Sequence, residues 1–297
     1  MSYSAQFRVE PGARVKLADV DPSFTDRHAD HASALADLEH NARRLAELQY
    51  LLYAENRRSL LIVLQAMDAG GKDGVVNHVF SAMNPQGCAV VGFKSPSAEE
   101  LAHDYLWRIH RAAPRTGQAV IFNRSHYEDV LAVRVHNLVP KKVWSKRYAE
   151  INAFERQLAD NGTHILKFYL HIDRDEQLAR FKQRLDDPAR HWKISDSDYS
   201  ERAYWDQYRT AFEDAIGRCS TEYAPWFVIP ANHKWFRNLA VSRILVETLE
   251  SLKMEMPAPR VNIDEIRAKY HAAQIAEAPE PQAGKPSKAA KRRKPGK

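Results

Sequence analysis

Residues 59–74 read S-L-L-I-V-L-Q-A-M-D-A-G-G-K-D-G. Leu60 to Leu64 is an unbroken apolar run, as a parallel strand buried on both faces requires. Gly70, Gly71 and Lys72 follow it at once, and Val75 to Met83 then reads as a helix. A strand, a glycine-rich turn, a lysine and a helix together make a cradle for phosphate. Backbone N–H groups from Ala69 to Gly74 approach phosphate oxygens, the helix N-terminus adds partial positive charge, and the lysine reaches the outer phosphates. The match to G-x-x-x-x-G-K-[ST] is incomplete, because Ala66 replaces the first Gly and Asp73 the Ser or Thr that would hold Mg²⁺. Two carboxylates, Asp68 and Asp73, therefore lie inside the loop. A carboxylate beside a phosphate is repulsive unless a cation sits between them, so Asp68 is a candidate metal ligand or a group facing the acceptor phosphate. The competing reading is an ordinary strand-to-helix turn with solvated acids.

A second constellation shifts that balance. Residues 120–134 read V-I-F-N-R-S-H-Y-E-D-V-L-A-V-R, an apolar strand with Asn123, Arg124, Ser125, Tyr127, Glu128 and Asp129 crowded at its carboxyl end and Arg134 just beyond. Nucleotide kinases need a polar group there, opposite the phosphate loop, to orient Mg²⁺ or a bridging water. Asn123 can bind a metal-bound water, and Arg124 can fork onto phosphate oxygens. Ser125, Tyr127, Glu128 and Arg134 are taken as further phosphate-side contacts. Helix capping by Asn123 and Ser125, with Arg124 paired to Glu128, is the plainer account of the same residues.

Outward from these segments, strand and helix signals alternate. Strands are expected at Cys88–Phe93, Ala119–Phe122, His164–Ile172 and Trp226–Ile229. Helices are expected from Ser33 (Leu35, Leu38, Ala42, Leu45, Leu48 and Leu52 in a stripe), and over Asp104–Ala112, Pro140–Leu158, Glu176–Leu185, Asp198–Ile216 and Trp235–Leu252. Alternation of this kind predicts an α/β fold with a parallel five-stranded sheet covered on both faces, ligands lying beyond the carboxyl ends of its strands. Residues 1–30 read as an extended arm punctuated by Pro11, Gly12 and Pro22. Residues 31–256 read as the main domain, and 257–297 as a tail with a short helix at Ile263–Ile275 and disorder beyond 277.

Composition narrows the function classes. The 297 residues carry a formal charge of +6, but residues 281–297 hold seven Lys or Arg and no acid, leaving 37 basic and 38 acidic residues in the rest. The body is not globally basic, so binding of nucleic acid by the whole domain is not indicated and any polyanion site is a local cluster. The tail is expected to add salt-sensitive affinity for long polyanions and to be dispensable for chemistry. No apolar run has the length of a membrane span, residues 1–10 lack a signal-peptide pattern, and Cys88 and Cys219 lack metal-ligand spacing. A cytoplasmic protein without membrane attachment follows, its cysteines serving as buried small hydrophobes. The histidines, His28 and His31 included, form no H-E-x-x-H.

One more basic cluster follows the fourth strand: Arg174, Arg180, Lys182, Arg184, Arg190, Lys193 and Arg202. Arg180 and Arg184 share a helix face, and a mobile arginine pair closing over phosphates neutralises transition-state charge. The alternative is a solvated basic face paired with Asp186 and Asp187. Trp192 and Tyr199 are candidates for stacking on a base.

Together the segments resemble the polyphosphate kinase family 2. The likeness rests on A-M-D-A-G-G-K-D-G-V, F-N-R-S-H-Y-E-D-V-L, D-P-A-R-H-W-K-I-S-D-S-D (Asp187–Asp198) and A-P-W-F-V-I-P-A-N-H-K-W-F-R-N (Ala224–Asn238), four blocks spread over Leu60 to about Leu252. The F-N-R-S-H-Y-E-D form resembles the third class of that family, whose members extend nucleoside monophosphates and diphosphates. The resemblance implies a three-layer αβα P-loop kinase fold with a helical lid at about 174–202. It also implies dependence on Mg²⁺, with Mn²⁺ as an alternative, and phosphoryl transfer between inorganic polyphosphate and AMP, ADP or ATP. In this reading Lys72 and the loop residues Ala69, Gly70, Gly71, Asp73 and Gly74 hold phosphates. Asp68 holds metal or steers the acceptor oxygen, Asn123 and Arg124 complete the metal and phosphate shell, Arg180 and Arg184 clamp the transferring group, and Lys193 adds a phosphate contact. A homo-oligomer is expected. Two other functions fit the motifs: an ATP-dependent nucleotide or small-metabolite kinase, and a non-catalytic polyanion-binding protein acting through the tail. A GTPase is disfavoured because N-K-x-D is missing from the sequence.

Overall fold

A computed structural model describes residues 2–277 of the chain, so the expectations for the tail beyond 277 fall outside the described residues. The described residues divide into two units, 2–256 and 257–277. In chain order the first unit holds α1 (Tyr3–Phe7), α2 (His31–Glu55), β1 (Ser59–Ala66), α3 (Lys72–His78), β2 (Cys88–Gly92), α4 (Ala98–Leu101), α5 (Trp107–Ala112) and β3 (Ala119–Asn123). It continues with α6 (Ala132–Val135), α7 (Lys141–Asp160), β4 (Thr163–His171), α8 (Arg174–Asp186), α9 (Asp196–Glu201), α10 (Trp205–Cys219), β5 (Trp226–Pro230) and α11 (Lys234–Ser251). The second unit contributes α12 (Ile263–Ala276), whose first turn is capped by the Asn262 side chain accepting from the Asp264 and Glu265 amides.

All five expected strands form. They pair in parallel in the order β2-β3-β1-β4-β5. The apolar run of β1 is buried along Ser59–Gln65 because it has a neighbour on each side and helices above and below. α2, α3 and α11 pack together, as do α6, α7 and α10, the two groups that right-handed crossovers place on opposite faces. The reversal of direction after β1 leaves a crevice at its carboxyl end, and there the phosphate loop sits. Register sets Asn123 of β3 beside Leu64 and Leu170 of β4 beside Ala66, so the ends of three strands converge on it.

Four local expectations need correction. The arm at 1–30 is not simply extended: Tyr3 and Phe7, one helical turn apart, form α1, and with Leu17 they are buried in the common core. The helix expected over Asp198–Ile216 is broken by a 3₁₀ turn at Arg202–Tyr204, beyond which Trp205 turns into the core. The helix expected through Met83 stops at His78 and gives way to a 3₁₀ turn, Phe80–Ala82. In the α2 stripe, Leu45, Leu48 and Leu52 are buried, whereas Leu35 is exposed. Cys219 is buried and Cys88 half-buried, each thiol pushed up by burial, to about 12 and about 11.

Candidate active site

The loop from Asp68 to Gly74 lines a cleft of about 1530 Å³. Its backbone is held in unusual conformations. Ala69 has φ 59° and Gly71, the N-cap of α3, has φ 102°. Glycine at 71 serves a turn and a close approach, and at 74 a close approach alone. A Cβ on Gly71 would collide with Arg237 Nη1, and one on Gly74 would lie 2.7 Å from Nη2. Lys72 opens α3 and donates from Nζ to the Ala66 carbonyl (3.2 Å). Burial pushes its ammonium down to about 8, Arg124 adds to the fall, and Asp68, Glu128 and Asp73 oppose it.

Across from the loop, the end of β3 delivers Asn123 and Arg124. Arg124 has φ 62°, and its N–H donates to the Leu64 carbonyl (3.1 Å), which turns the side chain back over the loop. Its Nη2 donates to Asp68 Oδ1 (3.0 Å). Burial lowers the guanidinium's proton affinity, but Glu128 and Asp68 outweigh that and hold it above the usual value. Asn123 Nδ2 donates to Asp73 Oδ1 (2.9 Å), and Lys193 Nζ stands 3.4 Å from Asp73 Oδ2. Burial raises the Asp73 carboxyl, yet Asn123 and Lys193 overcome it and keep the group below the ordinary carboxylate range. Glu128 accepts from Gln65 Nε2 (3.2 Å) at the margin of this cluster.

The segment 174–202 supplies Arg184, Lys193 and the exposed Trp192 to the cleft wall. Arg184 donates to the Lys193 carbonyl (3.0 Å) and lies 3.6 Å from Asp198. The expected pairing with surface acids holds only for Lys182 with Asp186 and Arg190 with Asp187. Arg180 differs from expectation. It is 5% exposed, pairs with Glu176, and donates to the carbonyls of Ala69 (2.9 Å), Ala231 and Asn232. A guanidinium with so many fixed acceptors is a buttress of the loop rather than a mobile clamp.

Three other sequence-based site residues point elsewhere. Ser125 is buried, its Oγ accepting from the Tyr127 amide as a cap. Tyr127 is buried against α7 and β4. Its hydroxyl donates to Glu155 Oε1 (2.9 Å) and accepts from Lys167 Nζ (2.9 Å), within a sealed Lys167–Glu155–His126 network. Arg134 binds Asp214 (2.6 Å) and the Tyr148 hydroxyl (3.1 Å), and covers the ring of Trp144. The 3₁₀ turn His126–Asp129, capped by Ser125, directs Tyr127 away from the cleft.

Residues that sequence reading left unassigned complete the basic lining: Lys234, Arg237 and Asn238 from the first turn of α11, and Lys94 after β2. Arg237 is 2% exposed and bonds only to Asn238 Oδ1, with no carboxylate within ion-pair distance among the described residues. Burial, then the charge of Arg180, pushes it down to about 9. The signal was present in K-W-F-R, whose Lys234 and Arg237 are one turn apart on a helix that begins at the carboxyl end of a parallel strand.

The sequence profile of the family described as Polyphosphate kinase 2 (PPK2) matches residues 28–257. The chain belongs to the polyphosphate kinase 2 family. It is 54% identical over 262 residues to a Meiothermus ruber protein named AMP/ADP-polyphosphate phosphotransferase, an alignment covering 88% of this chain and 98% of that one. It is 47% identical over 268 residues to the ADP-polyphosphate phosphotransferase of Rhodopseudomonas palustris, covering 85% and 91%. The crystal structure of polyphosphate kinase 2 from Arthrobacter aurescens TC1 superposes with a TM-score of 0.88 at 43% identity, covering 92% of this chain and 97% of the other. The chain is thus a phosphotransferase of the P-loop kinase-like fold, and its chemistry is phosphoryl transfer between polyphosphate and nucleotide.

A polyphosphate kinase that uses Mg²⁺ needs hard oxygen donors beside the phosphate loop. Asp68 and Asp73 provide carboxylates there, and Asn123 Oδ1 has no donor among the described residues. No group of three or more His, Cys, Asp or Glu suited to a metal occurs among the described residues. This set fits Mg²⁺, which takes one or two carboxylates and completes its shell with water and substrate phosphates.

Proposed function

We propose that this enzyme phosphorylates both AMP and ADP at the expense of inorganic polyphosphate. The observation that carries the reading is the placing of a phosphate loop between two cationic walls of one cleft, Arg124 on the β3 side and Arg237 with Lys234 on the α11 side. A reaction between two polyanions requires that arrangement. The name of the 54% identical relative supports the acceptor range.

In this mechanism the loop N–H groups and Lys72 hold the phosphates where the two substrates meet. Arg124 and Asn123 orient the nucleotide phosphates, and Arg237 and Lys234 receive the polyphosphate. Asp68 and Asn123 would hold Mg²⁺, or Mn²⁺ in its place, which would supply neutralisation of phosphate charge. A terminal nucleotide oxygen forms the new P–O bond as the bridging P–O bond to the polyphosphate breaks, and the shortened chain leaves with the bridging oxygen. Arg184 and Lys193 reach the cleft from the lid and offset charge on the transferring group. Positioning and neutralisation supply the rate enhancement. Arg180 acts by holding Ala69. Among the described residues no helix is long and apolar enough to cross a membrane, and the reduced state expected of two unpaired cysteines supports a cytoplasmic setting.

The test compares donors. With AMP as acceptor and Mg²⁺ present, the specificity constant measured with polyphosphate should far exceed that with ATP as donor, and with ADP as acceptor polyphosphate should yield ATP. A preference for ATP would make the protein a nucleotide kinase instead.

A further inference from the structure

Residues 2–27 precede the stretch matched by the family profile, yet they are built into the first unit. The Ser2 and Ser4 hydroxyls and the Ser4 amide donate to the Glu247 carboxylate of α11 (2.6–2.9 Å). The Val9 amide donates to the Trp226 carbonyl (2.9 Å), and Arg8 bridges Phe227, so the segment covers the outer edge of β5. The Leu17 amide donates to Glu213 of α10 (2.8 Å).

Two of its contacts bear on the phosphate site. Tyr3, Phe7 and Phe24 surround Phe236, their ring centroids 6.0, 6.1 and 5.8 Å from it, and Phe236 is the residue before Arg237. At the other end of the β5–α11 turn, the Asn232 amide donates to the Pro22 carbonyl (3.0 Å) and Asn232 Nδ2 to Ser23 Oγ (2.8 Å). Asn232 also binds Asp173, the N-cap of α8 (2.7 Å), and its carbonyl accepts from Arg180 (3.1 Å). Arg180 in turn holds the Ala69 carbonyl, at the left-handed position of the loop. A non-glycine residue stays in that conformation only where its surroundings over-determine it.

We propose that residues 2–27 are a positioning strap for phosphoryl transfer. The strap fixes both ends of the β5–α11 turn. Phe236 sets the height of Arg237, and Asn232 with Arg180 sets the phosphate loop. None of the strap residues reaches the cleft, so they act through Asn232, Arg180 and Arg237. This inference rests on the cleft being the site of transfer.

The test uses the full chain carrying Ser23→Ala and Phe24→Ala, two changes confined to the strap. Turnover per folded molecule should fall on the order of 10-fold, as expected when reacting groups are displaced by a fraction of an ångström. Amide hydrogen exchange at Ala69, Gly70 and Gly71 should accelerate in the same variant, a readout that needs no turnover. Ser23→Thr with Phe24→Leu should restore both. Wild-type turnover and wild-type loop exchange in a variant that merely melts at lower temperature would overturn the proposal. If the double variant does not fold, Ser23→Ala alone, which removes one exposed hydroxyl, is expected to change turnover and loop exchange together by a few-fold. No change in either would overturn the strap. A wild type inactive with polyphosphate but showing the exchange effect in the variant would refute the proposed function and leave the strap standing.

Discussion

Lys72 enters the phosphate site with its ammonium already pushed down to about 8, mainly by burial. Under the proposed function the protonated form holds phosphate, so its charge is present below that value and lost as pH rises through it. Near pH 7 roughly nine-tenths of the free enzyme carries the charge, and near pH 9 roughly one-tenth. The rate at low concentrations of both substrates reports the free enzyme, so with ADP and polyphosphate each far below saturation it should fall about tenfold over that interval with an inflection near 8. A bound polyanion favours the ammonium, so kcat at saturation should hold to higher pH. The assay is initial rate against polyphosphate concentration across this range at constant ionic strength. Lys72→Arg, charged throughout, should lose the inflection, and Lys72→Ala should lose turnover on the order of 10²-fold at every pH. A profile flat through pH 9, or an inflection that survives in Lys72→Arg, would refute the reasoning.

Arg180→Ala strands the carbonyls of Ala69, Ala231 and Asn232 and leaves Glu176 unpaired. It should cost about 3 kcal/mol or more in a denaturant titration as well as most of the activity. Arg237→Met removes a buried charge that has no acid partner, so the ligand-free protein should melt higher while KM for polyphosphate rises on the order of 10-fold and KM for ADP stays put. Tyr127→Phe deletes two buried hydrogen bonds, and should cost roughly 1–3 kcal/mol of stability without changing turnover per folded molecule.

The sheet was legible because each strand is a short apolar run ended by polar or turn residues, and parallel strands leave little room for another reading. The loop was legible for the same reason, its glycines and lysine following β1 directly. Side-chain direction was not. In S-H-Y-E-D the spacing alone does not say which residues face the cleft. Tyr127 and Ser125 face inward because Glu155 and Lys167, distant in sequence, build a buried charge pair beneath that turn. Arg180 and Arg184 share a helix face as their spacing requires, but the β5–α11 turn packs against only one of them and makes it structural. Arg237 was hidden by its apolar neighbours Trp235 and Phe236, which make the first turn of α11 read as core. Tyr3, Phe7 and Leu17 carried the sign that the arm is docked, yet Phe236, against which Tyr3 and Phe7 pack, lies more than 200 residues away, and Glu213, bound by the Leu17 amide, lies 196 away.

The central claim is that one cleft moves phosphoryl groups from polyphosphate to nucleotides one and two phosphates long. Incubating the pure protein with AMP, polyphosphate and Mg²⁺, with no ATP added, and resolving nucleotides by anion-exchange chromatography over time tests it directly. ADP should appear first and ATP should follow, and EDTA should stop both. AMP left unchanged under these conditions, by folded protein and across several polyphosphate lengths, would contradict it.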